Sequence, residues 1–229
     1  MTAPPIAASP PLRLRVTGER ACFTRPEMKV ERVTYDVMTP SAARGVLEAI
    51  LWKPQMRWVV ERIDVLAPIR HAQVRRNEVK DKVSVQNLSD AMAGRAVRLG
   101  IDIEAPKQRQ QRAAVILREV DYVIQARIEL TDKAGPGDSL AKYVEMFRRR
   151  AGAGQCFHRP YLGTREFAAH FELVPDDAAP SPIEDDRELG WMLLDIEHAG
   201  ERATPLFFPA RLAGGSLAVP RPDAPEVRR

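Results

Sequence analysis

The stretch AAVILREVDYVIQARIEL, residues 113 to 130, decides the architecture. Tyr122, Ile124, Ala126, Ile128 and Leu130 alternate with Val123, Gln125, Arg127 and Glu129, the period-two pattern of a strand with one buried face. Toward the N-terminus, LRLRVTG (12 to 18) alternates Leu12, Leu14 and Val16 with Arg13 and Arg15, and MRWVVERIDVL (56 to 66) reads as a further strand. Between those two lies YDVMTPSAARGVLEAILWKP (35 to 54). Its Ala43, Val46, Leu47, Ile50 and Leu51 recur on one helical face, with Thr39 as N-cap and Pro40 at the first helical position. Pro54 disfavours a helical Lys53 and ends the segment. Toward the C-terminus, Asp138 is expected to cap a second helix, SLAKYVEMFRRRAG, with Leu140, Val144 and Phe147 inward and Gly152 ending it. EFAAHFELV (166 to 174) supplies another strand.

Strand, helix, strand, strand, helix, strand is the order of an α+β, ferredoxin-like (RNA-recognition-motif-like) fold, an antiparallel sheet with both helices on one face. The expected boundaries are a flexible tail at 1–11, the ferredoxin-like domain at 12–175 with a long, partly mobile insertion at 68–110, and a small C-terminal antiparallel β extension at 176–229 lying against the main sheet. The extension contains GWMLLDIEH and PLFFPARLAGGSLAVP, the latter a hairpin turning at Gly214 and Gly215.

With 45% hydrophobic residues in 229, the chain can bury a substantial core. It lacks an apolar run long enough to span a membrane, and MTAPPIAASPP lacks the features of a signal peptide, so a cytoplasmic, membrane-free location is expected. Cys22 and Cys156 are too isolated for a disulfide framework or a zinc site and read as reduced thiols. The net charge is only +4, but the cations cluster at Arg75 and Arg76, at Lys107, Arg109 and Arg112, at Arg148 to Arg150, and around His158 and Arg159. Acid gathers instead in PDDAAPSPIEDDRE, 175 to 188. Such sorting suits an anionic polymer, although each cluster alone also fits a solvated helix end. In the first helix, Arg44 can pair with Glu48 or meet phosphate, and Gly45 admits either a neighbouring strand or a ligand's phosphate chain.

The strings ACFTRPEMKVERVTYDVMTPSAARGVLEAILWKP (21 to 54), VRRNEV (74 to 79), RQQRAAVILREVDYVIQARIELTDKAG (109 to 135) and AKYVEMFRRRAGAGQCFHRPYLGTREFAAHFEL (141 to 173) are similar to the CRISPR-associated Cas-five family in its type I-C form, a likeness running from Leu12 to Val227. The resemblance implies an endoribonuclease that cuts the repeat of precursor CRISPR RNA without metal or other cofactor. It also implies that the protein stays on the 5′ handle as a subunit of the antiviral surveillance complex. The complex's large and backbone subunits, and target DNA near the protospacer-adjacent motif, are then further partners. RNA contacts are expected from Arg25, Lys29, Arg44, Lys53, Arg75, Arg76, Arg109, Arg112, Arg148, Arg149, Arg150 and Arg159.

The family pattern has a tyrosine just before Trp-Lys-Pro and a Lys-His pair opening the second helix; here those positions are Leu51, Lys142 and Tyr143, and only the lysine matches. Lys142 is expected to stabilise the phosphate, and Tyr143 to donate or orient a proton, since a phenol with pKa near 10 is a poor base at neutral pH unless cations lower it. His158 in CFHRPYLG either replaces the lost base or bonds phosphate or backbone. His71, His170 and His198 read as structural. Two functions stay open: a processing endoribonuclease that keeps its product, and a subunit that holds the RNA handle without cutting, which the departures at 51 and 143 permit. General DNA binding fits the charge but not the fold.

Overall fold

Four alternating segments close into a sheet around the longest of them. The computed structural model describes residues 7–28, 30–175, 180–198 and 203–229. Lys29, much of the tail and part of the acidic segment therefore lie outside the described residues. The described elements are β1 (Leu12–Ala21), α1 (Pro40–Ile50), β2 (Met56–Val65), β3 (His71–Val79), α2 (Val85–Met92), a 3-10 turn (Pro106–Gln108), β4 (Arg109–Leu130), α3 (Leu140–Gly152), β5 (His170–Leu173), β6 (Arg187–Glu197), β7 (Thr204–Ala213) and β8 (Ser216–Ala218). The strand order is β5-β1-β4-β2-β8-β7-β6, with β3 also paired to β4 and every strand pair antiparallel.

β4 is the spine. Its 22 residues extend about 70 Å at strand rise. Tyr122–Leu130 pair with β2, Leu117–Ala126 with β1, and Arg109–Leu117 with β3. The side chains that alternate onto one face, Leu12, Leu14 and Val16 of β1, Tyr122, Ile124, Ala126 and Ile128 of β4, and Trp58, Val60 and Ile63 of β2, are all buried. Ala43, Val46, Leu47 and Ile50 of α1 and Tyr143, Phe147 and Ala151 of α3 belong to the same core. Trp58 and Phe147 meet edge to face, with ring centroids 4.7 Å apart.

Several local expectations are revised. Ser139, not Asp138, caps α3: its hydroxyl accepts the Lys142 N–H at 3.2 Å. α1 ends at Ile50 because Leu51 is already extended, at φ −146° and ψ 116°. Gly152 stays helical, and the left-handed residue after α3 is Gly154, at φ +65°. The tail is fixed from Ala8 onward. Ala8 bridges to Glu129, and Ser9 is buried, its N–H donating to the Ile128 carbonyl. The segment 68–110 is not structureless: β3 and the first half of β4 form a two-stranded arm carrying α2, which has no buried residue. The C-terminal strands do not stack against the sheet. They continue it edge to edge through β8 on β2. The expected hairpin turn at Gly214 and Gly215 is present, with φ +53° and +72°, and a side chain at Gly215 would strike the Ile183 carbonyl.

The sheet face away from the helices is a lattice of ion pairs. Arg15 bonds Asp121 and Glu172, Arg127 bonds Glu61, and Arg57 and Arg221 converge on Glu129 at 2.6 and 2.7 Å. The Glu129 side chain has no exposed surface. Burial pushes its pKa up, but the hydrogen bonds and charges of Arg221 and Arg57 outweigh that and hold it below the ordinary value of 4.5. The carboxylate therefore stabilises the fold fully above its unfolded pKa, and that contribution is lost as pH falls through the lower folded value. Glu129→Ala is expected to cost about 1–3 kcal/mol in urea unfolding at pH 7 and to lessen the acid-side fall in stability below about pH 4.5. A second expectation concerns Arg150, whose guanidinium donates to the Ile50 carbonyl at 2.9 Å. Arg150→Ala is expected to lower the Tm by several degrees, whereas Arg149→Ala, on the exposed side of the same turn, leaves it unchanged.

Candidate functional site

The start of α3 concentrates charge. The turn before the helix brings Asp138 beneath the first helical residues, where one carboxylate serves three donors: Gly135 N–H at 3.0 Å, Lys142 Nζ at 3.1 Å and Tyr143 OH at 2.5 Å. Those bonds, Tyr143's foremost, hold Asp138 down at about 2. Burial first, and then the Asp138 carboxylate, push Tyr143 up to about 12. Asp138 is thus an anion and Tyr143 a neutral phenol throughout the neutral range, and neither exchanges a proton there. Lys142 differs: it is half exposed, also donates to the Gly137 carbonyl at 3.1 Å, and sits 5.5 Å from the Tyr143 ring centroid. It is a positioned cation facing solvent.

The other expected catalytic positions separate. Leu51 and Tyr143 are both in the buried core, so the two positions that depart from the family pattern are closed to solvent in this chain. His158 is exposed. It touches the Phe157 ring, with centroids 6.0 Å apart, and among the described residues bonds neither Lys142 nor Tyr143. Its loop is pinned at the far end of α1, where Phe157 N–H donates to the Ala49 carbonyl at 2.8 Å. Lys142 and Arg150, which reaches that same end of α1, are about 12 Å apart along the α3 axis.

The expected RNA contacts divide by partner. Arg44 bonds Glu48 at 2.8 Å and Asp195 at 2.6 Å; Arg25 lies over the Tyr35 ring and near Asp36. At the base of the arm, Arg76 pairs with Glu166 and Glu78, and Arg112 with Glu78. Arg109 donates to the Ile103 carbonyl, Arg150 caps α1, and Arg148 also has a partner. Lys53, Arg75, Arg149 and Arg159 are exposed and have no ion-pair partner among the described residues. They are the cations best able to take a phosphate.

Gly45 answers to neither a strand nor any other close neighbour: a Cβ there meets nothing within 4 Å. It lines a cavity of ≈ 290 Å³ with Thr24, Thr39, Ser41, Tyr161 and Gly163. A larger one, ≈ 560 Å³, lies between α1, β2, β6 and the C-terminal segment, walled by Arg44, Arg57 and Arg221, whose carboxylate partners are already in place. Among the described residues no group of three or more His, Cys, Asp or Glu side chains is placed to hold a metal ion. Cys22 is buried and Cys156 exposed, both unpaired thiols.

Sequence reasoning missed two residues. Asp138, given only a capping role, is the anchor of Lys142 and Tyr143; its i, i+4 spacing to Lys142 was the available signal. Phe157 is 88% exposed, and no periodicity in its loop announces which way it faces.

Residues 11–220 match a family model described as CRISPR-associated protein (Cas_Cas5). Over 226 residues the chain is 52% identical to the CRISPR pre-crRNA endoribonuclease Cas5d of Mannheimia succiniciproducens, an alignment covering 95% of this chain and 98% of that one. It is 41% identical over 238 residues to the protein of the same name from Thermus thermophilus, covering 95% of each. Among solved structures, a crystal structure of a CRISPR-associated protein superposes with a TM-score of 0.70 at 17% identity, covering 99% of this chain and all of that one. A functionally uncharacterized protein of Streptococcus mutans does so with 0.68 at 16%, covering 98% and 100%. These structures speak for the fold, and the sequence matches for the kinship: the chain belongs to the CRISPR-associated Cas5d family.

Proposed function

We propose that this protein is a pre-crRNA endoribonuclease that cuts the repeat without metal or other cofactor, stays on the 5′ handle, and works in the cytoplasm as part of the type I-C surveillance complex. The observation that carries this is identity of 52% across nearly the whole of a relative named for that activity. The β5-β1-β4-β2 order, with α1 and α3 over one face, supports reading residues 12–175 as the ferredoxin-like RNA-binding unit and 176–229 as its β extension. The complex's large and backbone subunits, and DNA near the protospacer-adjacent motif, are the partners that go with that role.

The chemistry asks for three things. The 2′-oxygen beside the scissile bond attacks its own phosphorus and loses its proton, while the P–O5′ bond breaks and the leaving 5′-oxygen gains one, giving a 2′,3′-cyclic phosphate and a 5′-hydroxyl. Lys142 suits the charge that grows on the phosphate, because Asp138 and the Gly137 carbonyl hold its ammonium in place while leaving it half exposed. Tyr143, bonded to Asp138, orients that carboxylate and through it Lys142, a positioning role rather than a proton-transfer one. The general base is assigned to His158, the exposed imidazole of the loop at the end of α1, which has to contact the 2′-hydroxyl itself in the bound complex. A second reading, a subunit that holds the handle without cutting, is favoured by the closure of positions 51 and 143.

Incubating the purified chain with repeat-containing RNA in EDTA decides between the two. One cut with a 2′,3′-cyclic phosphate end is expected; tight binding with no product assigns the holding role instead. Lys142→Ala is expected to slow single-turnover cleavage by about two to three orders of magnitude with RNA affinity little changed. An alanine variant that cuts at the parent rate removes Lys142 from the site.

A further inference from the structure

Phe157 has the highest exposure of any large apolar side chain among the described residues, yet it is held in place. Its N–H donates to the Ala49 carbonyl at 2.8 Å, and Arg150 bonds the adjacent Ile50 carbonyl, so the loop is clamped to the end of α1. Trp52, three residues past Ala49, is 56% exposed. The surroundings are cationic. No Asp or Glu occurs from Ala49 to Val60 or from Met146 to Arg165, and Lys53 and Arg159 are exposed without ion-pair partners among the described residues. A surface meant for an apolar protein partner gains nothing from such a setting. An aromatic face amid unneutralised cations matches the two faces of a nucleotide, a π-surface and a phosphate.

We propose that Phe157 is a stacking platform for one unpaired base of the bound RNA, with Lys53 and Arg159 taking the flanking phosphates. This rests on the RNA-cutting reading above and adds a specificity contact to it. It also has a use in the reaction. In a stacked A-form strand the 2′-oxygen lies off the line of the P–O5′ bond, and in-line attack needs a nucleotide rotated out of the stack. A base held on Phe157 gives such a nucleotide a resting place beside His158.

The test is binding and fluorescence with the full chain. RNAs carrying 2-aminopurine at successive unpaired repeat positions are expected to show quenching concentrated at one position, which disappears in Phe157→Ala. That variant, a surface change, should keep the parent Tm and lose about ten- to a hundredfold in RNA affinity. Phe157→Trp should restore affinity and quenching, and Phe157→Leu should not. Lys53→Ala and Arg159→Ala should each reduce the salt dependence by about 0.7 in log–log slope. Unchanged affinity and quenching in Phe157→Ala overturn the platform while leaving the RNA function standing. Full rescue by Phe157→Leu also overturns it, since it makes the contact merely apolar. A parent chain that neither binds nor cuts repeat RNA sinks both readings together.

Discussion

The carbonyl oxygens at the end of α1 tie four parts of the molecule together. A helix leaves its last four carbonyls without intrahelical donors, and a buried acceptor left unpaired costs about 1–3 kcal/mol. Here three such groups are met from three places: Ala49 by the Phe157 N–H of the loop, Ile50 by Arg150 of α3, and Leu51 by the Trp58 indole of β2 at 2.8 Å. One helix end therefore sets the relative positions of α1, α3, β2 and the glycine-bounded loop. The same geometry turns the chain outward. Leu51 leaves the helix extended with its side chain buried, and the next two residues, Trp52 and Lys53, emerge at the surface.

The ion-pair lattice on the opposite sheet face leaves that surface little unneutralised positive charge. Domains of this topology that read RNA on the sheet do so with aromatic side chains standing on the central strands. Those positions here are Arg13, Arg15, Gln125, Arg127 and Arg57; the arginines at 15, 127 and 57 are neutralised by carboxylates on neighbouring strands, and Arg13 bonds Gln125. The chain's two ends add to the closure, with Ser9 bonded to Ile128 and Arg221 to Glu129. An arginine already paired with a carboxylate has less to offer a phosphate, because its attraction is partly spent and breaking the pair costs desolvation. Among the described residues, exposed cations without an ion-pair partner include Arg75 on the arm and Lys53 and Arg159 near the end of α1.

The strand and helix order was legible because burial on one face imposes a period, and β1, β2, β4, α1 and α3 all carry it. The arm was not. In β3 one face is fully exposed and the other only half buried, Arg75 and Asn77 alternating with Arg76 and Glu78, so polar residues stand on both faces and hydropathy has no contrast to show. The sequence placed Lys142 in the opening turn of its helix, where α3 has it. It could not show that Arg44, Arg76, Arg112 and Arg150 are occupied, because their partners Asp195, Glu166, Glu78 and the Ile50 carbonyl come from other elements. Whether an arginine is a ligand contact or a structural tie depends on residues up to about 150 positions away, which local pattern does not reach.

The two departures from the family pattern belong to one physical change. A leucine at position 51 and a tyrosine at position 143 both face the core, at the end of α1 and the start of α3, while Lys142 beside the latter stays half exposed. The groups that remain around Lys142 keep one charge state through the neutral range: Asp138 is held near 2, by the Tyr143 bond foremost, and Tyr143 near 12, by burial first and then by Asp138. Such a cluster stabilises developing charge without changing its own charge across the neutral range. His158 stands apart from that cluster, exposed on a loop fixed to the end of α1. The cation on α3 and the exposed imidazole on the loop tied to α1 are thus held by different parts of the fold.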